Sequence, residues 1–226
     1  PKHMEKLGGW EKDNDYVEYR LDVPETAPEK YTKIAEMVEK RYNLHARKLT
    51  KKEIFEGGYG KKLFDLINVT YSHLYGFSEL TDRQIDQYVK MYFPLADLDL
   101  ITVIEDGNKD NQLVGLAITI PSLTRALQKC RRGRLFPFGW WHLLRAIKFH
   151  KTEVVDLLLI GVLPEYRSKG ANALVFADLI PRYVKYGFKW GETHVEMETN
   201  ESVQSQWGPL DPTMHKKRRC YRKAIG

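Results

Sequence analysis

A chain of 226 residues with 42% hydrophobic content can bury one large core or two small ones, and no apolar run approaches the roughly 20 residues needed to cross a bilayer. Its two cysteines, Cys130 and Cys220, cannot build a disulfide framework and have no Cys or His neighbours at metal-ligand spacing; both read as free thiols, and no metal is expected. The net charge of +6 is concentrated, with seven Lys or Arg and no acid between Ser122 and His150, and a second basic run over Lys216, Lys217, Arg218, Arg219, Arg222 and Lys223. The opening residues PKHMEKLGGW lack the apolar stretch of a secretory signal, so the expected compartment is the cytoplasm.

In chain order, a strand is expected at Tyr16 to Val23, ended by Pro24. A helix follows from about Glu29 to Tyr42, with Tyr31, Ile34, Ala35 and Val38 at helical spacing. After a short strand at His45 to Leu49 and the break GGYG, residues Leu63, Phe64, Ile67, Tyr71 and Leu74 form the apolar stripe of a second helix. Thr81 with Gln84 reads as a capping box opening a third, which Pro94 stops. Leu100 to Glu105 and Leu113 to Ile120 make a hairpin around the polar turn DGNKDNQ.

The basic segment 122–150 should hold two short helices separated by Gly133 and by Pro137 to Gly139, with Trp140, Leu143, Leu144 and Ile147 on one face. Core packing is the expected role for Trp140 and Trp141. A long apolar strand at Val154 to Leu163 leads through a cationic, glycine-containing loop into a helix burying Phe176, Leu179, Ile180, Tyr183 and Val184. A strand at Thr193 to Thr199, a short helix after Asn200 and a strand near Arg219 to Ile225 close the chain. This order describes an α/β, or α+β, mixed sheet with helices on both faces.

The loop after the long strand decides the functional reading. Pro164 ends the strand, Gly170 can adopt positive φ, and residues 168–172 offer N–H donors that a helix start cannot satisfy itself. Such a turn is either structural or a seat for an anion such as a diphosphate. It is not a P-loop, which needs Gly-Lys-Ser/Thr, nor a dinucleotide fingerprint, which needs G-x-G-x-x-G.

The stretch VLPEYRSKGANAL resembles the acyl-CoA binding loop of the GNAT superfamily of N-acyltransferases, Q/R-x-x-G-x-G/A after a strand ending V-x-P. Arg167 and Gly170 fall on its first two signature positions, and Asn172 departs from the third. Downstream, Asn200, Val203 and Trp207 are similar to that family's N-x-x-A-x-x-x-Y pattern, with Trp207 where a thiolate-protonating tyrosine usually stands. The resemblance implies a mostly antiparallel GNAT-like sheet over 44–226, with 122–150 inserted before the fourth strand. Residues 1–43 would then be the tail of a preceding GNAT-like unit, as in longer bacterial proteins, or an N-terminal extension plus linker helix.

The resemblance also implies acetyl-CoA or acyl-CoA as donor and an amine-bearing acceptor. Its diphosphate would rest on Arg167, Ser168, Lys169, Gly170, Ala171 and Asn172, with Asn200 nearby and the oxyanion at the amides of Val162 or Leu163. For the base, alternation along 193–199 puts His194, Glu196 and Glu198 on one face, so Glu198 or Glu196 is the first choice and Asp156 the reserve. Tyr221 is the terminal-strand residue able to replace the missing acid. The alternative is a non-catalytic module whose basic segments bind an acidic carrier protein, an anionic membrane surface or nucleic acid. Nucleic acid is the least expected, because no recognisable RNA-binding motif is present.

Overall fold

The computed structural model describes residues 2–224. In chain order its elements are α1 (Lys2–Leu7), β1 (Glu11–Asp22), α2 (Glu29–Tyr42), β2 (Leu44–Arg47), α3 (Lys51–Phe55), α4 (Tyr59–Tyr71), α5 (Asp82–Tyr92), β3 (Ile101–Asp106), β4 (Gln112–Pro121), α6 (Thr124–Gln128), α7 (Gly139–Phe149), β5 (Val154–Val162), α8 (Pro164–Arg167), α9 (Asn172–Tyr186), β6 (Trp190–Thr193), β7 (Glu196–Met197), α10 (Glu201–Gln204) and β8 (Thr213–Arg222).

All eight strands join one sheet. The path runs β2-β3-β4-β5-β6-β1-β7, and β8 pairs with β1. Pairing is antiparallel except between β5 and β6, which run parallel. On one face, Tyr31, Ala35 and Val38 of α2 pack with Leu174, Phe176, Leu179 and Tyr183 of α9. On the other, Leu63, Leu66 and Ile67 of α4 meet Ile101, Val103 and Leu116. Both faces of β3 are therefore covered, and all six of its residues are buried.

The helix starts follow local chemistry. Thr81 and Gln84 form the expected capping box on α5, and Thr50 with Glu53 forms a second on α3, a helix the apolar pattern does not announce. The turn after β5 is a short helix, α8, with Pro164 at its first turn rather than a plain loop.

Three expectations are corrected. The first strand is longer than Tyr16 to Val23, and β1 is an interior strand, flanked by β6 and β7 on one edge and β8 on the other. β1 completes the sheet, and α2 lies on its core. The closing strand spans Thr213–Arg222, and Ile225 lies outside the described residues. Trp140 and Trp141 are more than two-fifths exposed and do not fill the core.

The antiparallel ladder of β1 with β8, from Glu11↔Arg222 to Arg20↔Thr213, is reinforced by ion pairs. Asp15 is buried and receives both Nε and Nη2 of Arg219, at 2.8 and 2.9 Å, with Lys12 and Lys217 at 3.1 and 3.2 Å. That cationic surround holds the Asp15 carboxyl well below the usual carboxylate range, the Arg219 hydrogen bonds being the largest cause.

Gly170 turns the chain from α8 into α9 at φ +82°, and a Cβ there would lie 3.0 Å from Ile34 Cγ2 of α2. Gly187, the C-cap of α9, has a similar φ of +77° but faces open space. Left-handed backbone costs a non-glycine residue about 1–2 kcal/mol. Urea unfolding should therefore show that Gly187→Ala loses about 1 kcal/mol while Gly170→Ala loses more, because only the latter also crowds α2. Equal losses would show that the packing against Ile34 is slack.

Candidate active site

The parallel pairing of β5 with β6 is short. It covers Val154 to Leu157 against Trp190 to Thr193, and its last bond is the His194 N–H to the Leu157 carbonyl at 3.2 Å. Beyond this point β5 stays with β4 as far as Val162, whereas the other strand stays with β1, where Glu196 pairs with Val17 and Met197 with Tyr16. The two strands part because each follows a different neighbour. Leu158 marks the parting as the extra residue of a bulge, between the pairs Ile118↔Leu159 and Thr119↔Leu157.

The gap is a cavity of about 430 Å³. Leu157, Leu159 and Ile160 of β5, Val175, Phe176 and Leu179 of α9, and Tyr71 with the 73–77 turn after α4 make its wall mainly apolar. Such a concave apolar site with a few polar groups suits a small-molecule ligand.

β5 turns an unpaired edge into this gap. The Leu163 N–H bonds the Val114 carbonyl at 2.9 Å, so alternation points the peptide groups of Ile160 and Val162 away from β4. Tyr71 occupies the first of them: the Ile160 N–H donates to its hydroxyl oxygen at 3.2 Å, and that hydroxyl donates to the Ile160 carbonyl at 3.0 Å. Burial raises the Tyr71 phenol to about 12, which keeps it a donor at neutral pH. Leu163, one of the two amides expected at the oxyanion, is committed to β4, whereas the Val162 amide faces the gap.

Glu196 is the carboxyl that enters the cavity. Burial raises it from 4.5 to about 7, opposed by hydrogen bonds from Trp207 and Thr193. Trp207 Nε1 donates to both of its oxygens, at 3.0 and 3.2 Å, while the indole is buried edge-on against Phe176. The residue standing where a tyrosine is usual thus orients a carboxylate, which an indole N–H can do although it cannot protonate a thiolate.

Glu198 does not join it. The expected continuous strand 193–199 breaks between Thr193 and Glu196 and ends at Met197, so Glu198 lies in the turn that follows, where alternation no longer holds. Glu198 ion-pairs with Lys217 and with Lys12, the latter at 3.2 Å, and its pKa is lowered by them in that order. Tyr221 also lies outside the cavity, opposite Lys12 in the β1–β8 register, with its hydroxyl 3.4 Å from Glu5. Asp156 lies near Ser122, His194, Lys216 and Glu18, away from the lining, and burial raises its pKa. His194 is exposed at the cavity rim.

The loop residues take varied positions. Arg167 turns inward, its Nε 3.0 Å from the Val162 carbonyl and its Nη2 3.3 Å from the Thr70 carbonyl, fastening α4 to the end of β5. Lys169 lays its ammonium 4.1 Å from the Tyr166 ring centre. The amides of Lys169 and Gly170 already bond the carbonyls of Tyr166 and Arg167, which leaves those of Ala171 and Asn172 without a backbone acceptor among the described residues. Ser168 is exposed, and Asn172 and Asn200 line the cavity. A diphosphate at this end would find two helix-start amides and the edge of the gap.

Sequence reasoning missed Tyr71 and the Trp207–Glu196 pair. Tyr71 falls within the apolar stripe of α4 and gives no local sign that its hydroxyl meets β5.

No family model matches the chain. A bacterial ceramide synthase of Caulobacter vibrioides is 22% identical over 167 residues, which cover 72% of this chain and 42% of the relative. The chain therefore spans less than half the length of that curated relative. Among solved structures, a GCN5-related N-acetyltransferase from Sphaerobacter thermophilus matches over 98% of this chain and 55% of its own at TM-score 0.60 and 12% identity. A GCN5-related glucosamine N-acetyltransferase region of a fungal multi-domain GH3 β-N-acetylglucosaminidase matches over 97% of this chain and 22% of its own at TM-score 0.59 and 12% identity. The chain has the GNAT fold, with an open and mostly antiparallel sheet.

The raised Glu196 carboxyl has a stability signature. Folding favours its protonated form, so this contribution is present below the ordinary value of 4.5 and is lost as pH rises through about 7. Glu196→Gln keeps an acceptor for Trp207 and removes the charge. Its melting temperature relative to wild type should rise between pH about 5 and about 8; a constant difference would show that Glu196 ionises in the folded state as it does in water.

Proposed function

We propose that this chain carries an N-acyltransferase site that moves an acyl group from acyl-CoA to a primary amine. The observation that carries the reading is the gap between β5 and β7, where an unpaired strand edge, an apolar wall and one carboxyl poised near neutrality converge. An extended, amide-bearing donor arm would pair with the Ile160 edge in place of the Tyr71 hydroxyl, as a peptide adds to an open strand. Its phosphates would lie toward Ala171 and Asn172, and its acyl chain among Leu159, Val175, Phe176 and Leu179.

In the transfer, the amine nitrogen attacks the thioester carbonyl, the C–S bond breaks, and the products are an amide and a free thiol. The Val162 N–H is the edge donor for the developing oxyanion. Glu196, held by Trp207, takes the proton released by the amine, directly or through one water, and proton return to the departing sulfur completes the balance. A carboxyl near pH 7 suits this work, since a fully acidic carboxylate would be too weak a base.

The apolar wall favours an acyl group longer than acetyl. The name of the bacterial ceramide synthase relative supports the same choice, because a ceramide is an N-acylated long-chain amino alcohol.

Thiol release with acetyl-CoA, decanoyl-CoA and palmitoyl-CoA, each against short and long-chain primary amines, tests the reading. Release should be fastest with a long acyl donor and should rise with pH through about 7; Glu196→Gln should lower kcat by about 10²–10⁴ and abolish that pH dependence. Binding of acyl-CoA without release would make the fold a binding module instead. No heat of binding with any acyl-CoA would end the proposal.

A further inference from the structure

The acid-free segment 122–150 leaves many of its large apolar residues outside. Residues 131–138, RRGRLFPF, are exposed without interruption, and Phe136 and Phe138 are 77% and 71% exposed. Leu135, Trp140, Trp141 and Phe149 extend the same exposure. A soluble surface rarely shows so many large apolar side chains in one short stretch.

The segment is nonetheless built. Ala126, Cys130, Gly139 and Ala146 are buried within it, and a Cβ on Gly139 would collide with the Arg134 carbonyl oxygen. Trp140 Nε1 donates to the Pro137 carbonyl at 3.0 Å, and Trp141 touches both Trp140 and Phe149 edgewise or tilted. The Trp140, Trp141 and Phe149 rings thus contact one another in series while staying exposed.

The cations around them are largely unspent. Of the seven Lys and Arg in this segment, only Arg125 has a carboxylate partner among the described residues, Glu153 at 3.5 Å with both side chains exposed. A crevice of about 360 Å³ at the 150–153 end of the segment is lined by Arg125, Lys129, Arg145 and Lys151 together with Glu153.

We propose that α6, α7 and the 131–138 tip between them form a docking surface for an anionic lipid bilayer. The rings enter the boundary between headgroups and acyl chains, and Arg131, Arg132 and Arg134 meet lipid phosphates. A bilayer is favoured over an acidic protein because the exposed rings and the unpaired cations alternate within one short stretch. They need an apolar layer beneath a negative surface, which a membrane offers without a matched pocket. The inference stands on these exposed residues and is independent of the acyl-transfer reading.

Co-sedimentation of the full chain tests it, with vesicles of phosphatidylcholine alone and vesicles in which about a third of the lipid is phosphatidylglycerol. The protein should bind the anionic vesicles, bind phosphatidylcholine at least tenfold less, and show a blue shift of tryptophan emission on binding. Phe136→Ser/Phe138→Ser and, separately, Arg131→Glu/Arg132→Glu/Arg134→Glu should each weaken binding at least tenfold. All five positions are exposed, so the thermal melts should match wild type. Retention no greater on anionic than on neutral vesicles overturns the proposal, as does undiminished binding by both variants. Binding to an acidic protein with no binding to vesicles overturns it equally.

Discussion

Strand β5 is asked to satisfy two neighbours that diverge. For its first half it is fully paired, with β4 on one side and β6 on the other; for its second half it keeps β4 alone. Backbone N–H and C=O groups left unpaired in an apolar interior are costly, so an open interior edge persists only if something else satisfies it. Here Tyr71 bonds both groups of Ile160, and Arg167 bonds the Val162 carbonyl. The gap is therefore an unmet pairing held open by side chains from α4 and α8, and the rest of the site is arranged around it.

The divergence is enforced from the far side of the sheet. β1 carries β6 and β7 end to end along one edge, with the Tyr19 N–H bonding Thr193 Oγ1 at the kink, and is clamped to β8 on the other through Asp15 and Arg219. Because Glu196 pairs with Val17, the position of the carboxyl in the cavity depends on β1. Burial then sets its proton affinity and Trp207 sets its direction. An N-terminal strand thus fixes a residue nearly 180 positions later.

Much of this was readable in the chain, for identifiable reasons. The run Val154 to Val162 is apolar apart from Asp156 and does not alternate, because Val155 and Val162 join the core on one face while Leu159 joins that on the other, and that pattern is local. Gly170 was readable because a strand-to-helix turn of this kind calls for positive φ, which it adopts at +82°. Glu196 and Glu198 could not be told apart, since β7 ends at Met197 and puts Glu198 in a turn, where the alternation on which the comparison relied no longer holds. The roles of Tyr71 and Tyr221 depend on contacts 89 residues apart and on the β1–β8 register, which no local spacing encodes. Trp140 and Trp141 look like core by composition alone, and only three-dimensional exposure shows otherwise.

The most direct trial of the central claim is a crystal structure of the chain with a non-transferable acyl-CoA thioether bound. The amide-bearing arm should lie along β5 between Leu158 and Val162, with the Tyr71 hydroxyl displaced from Ile160 and the acyl carbon within reach of Glu196. An occupied ligand found elsewhere, with Tyr71 still bonded to Ile160 and the gap empty, would contradict the account.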